Sequence, residues 1–292
     1  VTDGLALHGI GCPLPAGWEA VGSAGGWRRG QVLVAASDGP PLLAIGWERA
    51  AATAEPPRLL AALERRMRSE LGCGERRACS AISGGLLARW AAPPGELCGG
   101  VRCVRPASAA DAGPGVALVV RALAPAGVAA AHAALAGAWA RAADQPTPLR
   151  IYGLDLELPP WWRLEGMQQL AGLVRALFLH HPQGRLDRIA GALVLRRFAC
   201  AGRVLAGRTP AEWIAEQLGR RETVLSSAVV DGVTAVGTRR PAPGWWRRLA
   251  GASEGRSFHA WLEAGGDRLV LQEWYGTGTP VMCLRSAVPT GS

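Results

Sequence analysis

The chain has no lysine and no asparagine, and its 292 residues include only 3 Phe, 2 Tyr and 3 Met. The scarce types are those written by A/T-rich codons, whereas Gly, Ala, Arg, Pro and Trp abound, which points to a very G/C-rich bacterial coding sequence. All 32 basic residues are arginine by codon supply, so their number is no evidence of arginine-specific recognition. The net charge of +9 and pI near 10.1 raise a polyanion as a partner. The excess is spread, however, with +4 in residues 1–150 and +5 in 151–292, and no basic tail concentrates it. Long apolar runs are lacking too. The most lipid-like stretch, 114–143, is interrupted by Arg121, His132 and Arg141, which excludes it as a membrane span. The start, Val1-Thr2-Asp3, has neither the basic flank nor the apolar run of a secretory signal. Val1 reads as a GTG start written as valine, and a cytoplasmic location is expected.

Recognisable chemistry is also scarce. The 7 cysteines are odd in number, and Cys73/Cys79 and Cys98/Cys103 lack the two-residue spacing that usually holds zinc. They read as buried free thiols, with a metal or redox site as the alternative. None of the five histidines, His8, His132, His180, His181 and His259, falls in a His-x-x-x-His or His-Glu-x-x-His pattern. His180-His181 before Pro182 reads as an exposed turn, and His132 as a core or interface histidine on a helix. Gly251-Ala252-Ser253-Glu254-Gly255 fits the nucleophile-elbow pattern but lacks the strand–turn–helix context and a distant histidine. Hydrolysis is therefore a minor alternative, and no cofactor is expected.

What the sequence does hold is a repeat. Residues 7–18 align without a gap on 151–162, an offset of 144, with Gly9/Gly153, Leu14/Leu158, Pro15/Pro159 and Trp18/Trp162 identical. The strand-like run 31–35 falls on 175–179 at the same offset, and Ser80-Ala81-Ile82 meets Ser227-Ala228-Val229 at 147. Local signals fill in the elements. Pro57 opens a helix with Leu60, Leu63, Met67 and Leu71 at helical spacing, closed by Gly72. Thr209-Pro210-Ala211-Glu212 is a capping box for a second helix with Trp213, Ile214 and Leu218 inward and Gly219 as its stop. An alanine-rich helix is expected over 126–143. The reading is an α+β fold of two similar domains, each an antiparallel sheet flanked by helices, produced by internal duplication. The first spans 1–147 and the second 148–292, the latter lacking the final helix, with 145–148 as linker.

The opening Leu14-Pro15-Ala16-Gly17-Trp18, the Thr209–Glu212 helix start and the late run Gly266–Leu271 resemble DcrB-like and PsbP-like α+β domains. Trp161, standing where the pattern has glycine, is a departure. The resemblance implies a non-catalytic binding and assembly domain, some relatives being chaperones or adaptors for secreted effectors, with no catalytic residues to carry over.

One segment stands out as a surface. Arg239-Arg240 and Arg247-Arg248 bracket Trp245 and Trp246, a combination suited to stacking, cation–π contact or an anionic interface; packing of the two rings over the sheet end is the alternative. Trp161 has no counterpart in the first copy and is a further candidate contact. The expected function is a non-enzymatic adaptor or chaperone for another protein, with a nucleic-acid or other polyanion binder as the alternative.

Overall fold

The computed structural model describes residues 4–36, 39–49, 55–93, 95–106, 115–141, 144–182, 185, 188–218, 223–230, 233–239, 255–263 and 266–276. The chain divides into two compact units, Val1–Glu157 and Leu158–Ser292. In the first, strands β1 (Gly4–Leu7), β2 (Ile10–Pro13), β3 (Trp18–Gly25), β4 (Arg29–Ala36) and β5 (Leu43–Glu48) lead into helix α1 (Pro56–Leu71). Strands β6 (Arg76–Ile82), β7 (Gly85–Ala92), β8 (Gly95–Val104) and β9 (Val116–Ala122) follow. The unit closes with α2 (Val128–Ala136), β10 (Trp139–Ala140), β11 (Thr147–Ile151) and β12 (Leu154–Leu158). The second unit has β13 (Trp162–Leu170), β14 (Leu173–His180), β15 (Gly191–Phe198), α3 (Ala201–Leu205), α4 (Pro210–Gln217), β16 (Thr223–Val230), β17 (Val233–Arg239), β18 (Gly255–Leu262) and β19 (Leu269–Gly276).

These strands form three antiparallel sheets. A seven-stranded sheet in the first unit has the order β3-β4-β5-β9-β8-β7-β6, and one in the second has β13-β14-β15-β19-β18-β17-β16. Strand for strand the order is the same. The third sheet, β10-β2-β1-β11-β12, pairs two short hairpins through β1 and β11 with Ala6 opposite Arg150. Those residues are 144 apart, the offset at which the sequence repeats.

The expected α+β class, with helices flanking each sheet, is corrected here: the described residues are mostly β. In the first unit a sheet does part of the work expected of helices. Gly99 and Gly100 point to opposite faces of β8, where an added Cβ would lie 3.2 Å from Leu63 of α1 and 2.3 Å from Leu135 of α2 respectively. On the α2 face, Ile45, Trp47, Leu118 and Val120 also meet Leu5, Leu7, Ile10 and Cys12 of the five-stranded sheet around a small apolar cavity of about 10 Å³. The core is thus largely sheet on sheet. The alanine-rich helix is shorter than expected, running from Val128 to Ala136, and His132 on it is exposed rather than packed. It stops at Gly137, where a Cβ would crowd Pro13 at 2.6 Å, and the chain then turns into β10.

The other two expected helices, α1 and α4, follow their sequence signals. Pro56 and Pro57 occupy the first turn of α1, Leu60, Leu63 and Met67 are buried, and Gly72 ends it with φ +64°. At the start of α4 the Glu212 amide donates to Thr209 Oγ1 (3.3 Å) and the Thr209 amide donates to Glu212 Oε2 (2.7 Å), a reciprocal capping box. Thr209→Ala should therefore cost about 1 kcal/mol, read as a lower urea midpoint; an unchanged midpoint would mean that packing of Trp213 and Ile214 alone holds the helix.

All four outer strands of the two large sheets are bulged. Register shifts put one extra residue in β3 (Val21), β6 (Arg77), β13 (Glu165) and β16 (Leu225). Bulges twist an edge and interrupt its hydrogen-bonding ladder, a common defence against strand addition.

Candidate partner-binding groove

Among the described residues, helix α1 lies over β7 and β8 and reaches β9 through the Glu70–Arg121 ion pair, leaving a gap above β4 and β5. The result is an open groove of about 520 Å³. One wall is α1, through Leu59, Ala62, Leu63 and Arg66, and the floor is Gly46, Ala117 and Val119. Arg29, Gln31 and Glu48 line the other side. The strand registers Arg29↔Glu48↔Ala117 and Gln31↔Gly46↔Val119 put these six on one face of the sheet. Gly46 deepens the floor: a Cβ there would meet nothing closer than 3.7 Å. Arg29 and Arg66 are exposed, and neither makes an ion pair with a described residue. Volume and composition suit a ligand of modest size, with an apolar base and few charges at the rim.

The second unit fills the corresponding place with its own chain. Leu33 stands opposite Ala44, and Leu177, its repeat partner at offset 144, stands opposite Val194. Carrying the registers onward puts Gly46 at the position of Arg196, Glu48 at Phe198, Ala117 at Leu269 and Val119 at Leu271. In the second unit Ala201 and Leu205 of α3 pack with Leu269 and Leu271, and Phe198 closes over them. The connections explain the difference. Eleven residues join β15 to α4, enough to include the five of α3, but seven join β5 to α1.

Elsewhere in the first unit, the Leu14-Pro15-Ala16-Gly17-Trp18 signature borders a second cleft of about 350 Å³ with the Tyr152-Gly153 turn and the Arg150–Asp155 ion pair (3.1 Å). A third feature is a buried aromatic nest. His8 packs its ring 5.1 Å from Trp47 and 6.3 Å from Trp27, and Arg49 lies 3.7 Å over the Trp27 ring. Arg49 donates to the carbonyl oxygens of His8 and, at 3.2 Å, of Trp27. Burial, then the Arg49 charge, holds the His8 imidazole down to about 3, and its Nδ1 is buried without a partner.

Of the residues singled out in the sequence, Trp161 sits in the turn before β13 with φ +68°, its carbonyl accepting from the His181 amide at 2.9 Å. Its repeat equivalent, Gly17, has φ +75°. A tryptophan held where glycine is at ease stores strain, and strain of this kind gathers at functional positions. Trp161→Gly is expected to raise stability by about 1 kcal/mol, measured as the urea midpoint; a fall instead would show that the partly buried indole contributes more by packing than the backbone loses. Arg239 ends β17, its backbone opposite Thr223 and Gly255. Arg240, Trp245, Trp246, Arg247 and Arg248 lie outside the described residues, as do Gly219, Ser253 and Cys283.

The histidine pair is not an exposed turn. His180 stacks on Trp162 at 5.2 Å, and His181 is buried with Nδ1 3.1 Å from the Arg188 carbonyl. On β18, Ser257 and His259 share a face; Ser257 Oγ and His259 Nδ1 are buried, and no hydrogen bond joins them. Cys12, Cys73 and Cys98 are buried free thiols; burial pushes Cys12 up to about 12 and Cys98 to about 11, well away from reactive thiolates. Cys79 and Cys200 are exposed. Among the described residues no three His, Cys, Asp or Glu side chains converge as metal ligands, and no helix is long and apolar enough to cross a membrane.

No protein-family model and no curated protein matches this chain. Among solved structures, the apo structure of immunity protein TplEi of T6SS from Pseudomonas aeruginosa is similar with a TM-score of 0.34 and 8% identity, over 97% of this chain and 90% of that one.

The sequence reading missed the groove. Its floor joins Gly46 to Ala117 and Val119, about 70 residues further along, and only strand pairing brings them together. The available signal was the shorter connection of the first copy between its third strand and its helix.

Proposed function

We propose that this chain is a non-catalytic protein-binding module, an adaptor or chaperone for another protein, which takes its partner in the groove beside α1. The observation that carries this reading is the contrast between units: the same sheet position is filled by α3 in one and open over about 520 Å³ in the other. The matching strand order supports a further part of the proposal, that the two units descend from one duplicated DcrB-like or PsbP-like domain and that one copy kept its groove free for a partner. Trp161 and the arginine–tryptophan segment from Arg239 to Arg248 are proposed as supplementary contacts. We place the protein in the cytoplasm, where thiols such as the exposed Cys79 and Cys200 stay reduced.

The test is capture of bound material from the native host at high salt, with wild type beside Gly46→Leu. The substitution fills the groove floor, and the 3.7 Å clearance at its Cβ lets the strand accept it. One protein retained near stoichiometry by wild type, and reduced about tenfold by Gly46→Leu, is the expected result. Equal retention by both would remove the groove as the site. Material lost as salt rises would favour the polyanion alternative, for which the net charge of +9 is the motivating fact.

A further inference from the structure

Resting on the protein-binding reading above, we infer that the groove takes one to two turns of an amphipathic helix from the partner, bulky apolar residues inward and an acidic residue beside Arg29 and Arg66. Three observations lead there. The first is the precedent within the chain: a short helix, α3, occupies the equivalent sheet surface of the second unit.

The second concerns hydrogen bonding. The floor strands β4, β5 and β9 lie inside the sheet with both neighbours paired, so their amides and carbonyls are already used. An extended segment laid over them would find no backbone partners, whereas a helix brings its own. Strand addition would need an outer strand instead, and all four of those are bulged.

The third is an exchange of sizes. Where α3 presents Ala201 and Leu205, its floor has Phe198, Leu269 and Leu271; the groove has the smaller Ala117 and Val119, with Glu48, there, beside Gly46 and Ala62. Small floor residues leave volume that the occupant's Leu, Phe or Met side chains fill. At the rim, two exposed arginines with no ion pair to a described residue face one carboxylate, Glu48, so the occupant's complementary charge is negative.

The experiment is selection of random displayed peptides, about 16 residues long to allow full helical turns, on the full chain, with counter-selection on Gly46→Leu. Ala62→Arg, an exposed position on the α1 wall, serves as a second blocking variant should Gly46→Leu lose its native circular dichroism. The expected winners repeat apolar residues every three to four positions and carry Asp or Glu. They bind wild type about tenfold more tightly than either blocked variant, and they lose a similar factor on the Arg29→Glu/Arg66→Glu double variant. Winners with two-residue alternation, winners indifferent to the blocked variants, or no enrichment would each overturn the inference. A native partner still captured in a Gly46-dependent manner would then leave the protein-binding reading standing without the helix.

Discussion

Trp90→Ala should destabilise the first unit by about 3–5 kcal/mol, a large share of the stability of an ordinary domain. Trp90 is fully buried, with 0% exposure, in β7 between β6 and β8, and its neighbour across the strands is Leu97. Its Nε1 has no hydrogen-bond partner, so the indole acts through packing alone. Truncation to alanine removes that packing and leaves a void in a sheet whose strands are fixed on both sides, with little room to collapse. Trp90→Phe tests the cause, because it restores much of the volume and no hydrogen bond is at stake; it should cost less than half as much. Hydrogen exchange of the β7–β9 amides against urea measures both. A cost below about 1 kcal/mol for the alanine variant would mean that the surroundings close over the gap, contrary to this account.

The second large effect is acid sensitivity seated at His8. Its imidazole is held down to about 3 from an ordinary 6.5, by burial first and the Arg49 charge second. The unfolded chain therefore takes up a proton at His8 below about 6.5 that the folded chain refuses until about 3. Stability from this site is whole above pH 6.5 and declines as pH falls through that window, by roughly 4–5 kcal/mol in all. In the second unit, His180, His181 and His259 are shifted the same way, by burial first, and give that unit an acid sensitivity of the same sign. His8→Asn isolates the site, because asparagine suits the left-handed turn that His8 adopts at φ +55° but does not titrate. Urea unfolding of the first unit at pH 7 and pH 4 should differ less in His8→Asn, by about one bound proton in slope. An unaltered pH dependence in the variant would place the acid sensitivity elsewhere.

That turn also explains part of what the sequence did not disclose. His8-Gly9 and Tyr152-Gly153 have φ values of +55°, +71°, +52° and +68°, the signs of a type I′ hairpin. The usual signal, Asn-Gly, is unavailable to a chain without asparagine, so the two hairpins read only as leading extended segments. Helix starts were more legible, because proline and the Thr209–Glu212 box act over a single turn and need no tertiary context. The alanine-rich run was over-read for the opposite reason. Alanine propensity favoured helix through to residue 143, but contact of Gly137 with Pro13 and pairing of Trp139 with Gly11 ended it. The matched hydrophobic pattern of the two copies foretold strands at 31–35 and 175–179. It did not foretell that a sheet, in place of further helices, would cover the face around Ile45 and Val120 in the first unit. Of the site, Trp161 was visible as a residue without a counterpart, whereas the groove depends on cross-strand neighbours and on the different lengths of the two connections.

The pairing of Ala6 with Arg150 sets an order of events during synthesis. The β1–β2 hairpin leaves the ribosome well before its other neighbour β11, which is made about 140 residues later, a delay of roughly ten to thirty seconds at ordinary elongation rates. Closing so long a loop costs about 4 kcal/mol in chain entropy, so this strand pair belongs among the late contacts to form. Until then β1 is an unpaired edge on the nascent chain, and any product that stops short of Thr147 keeps that edge open permanently. Fragments ending there are expected to associate through β1, with Gly4 to Leu7 of one chain antiparallel to the same residues of another, in the place that β11 takes in the folded unit.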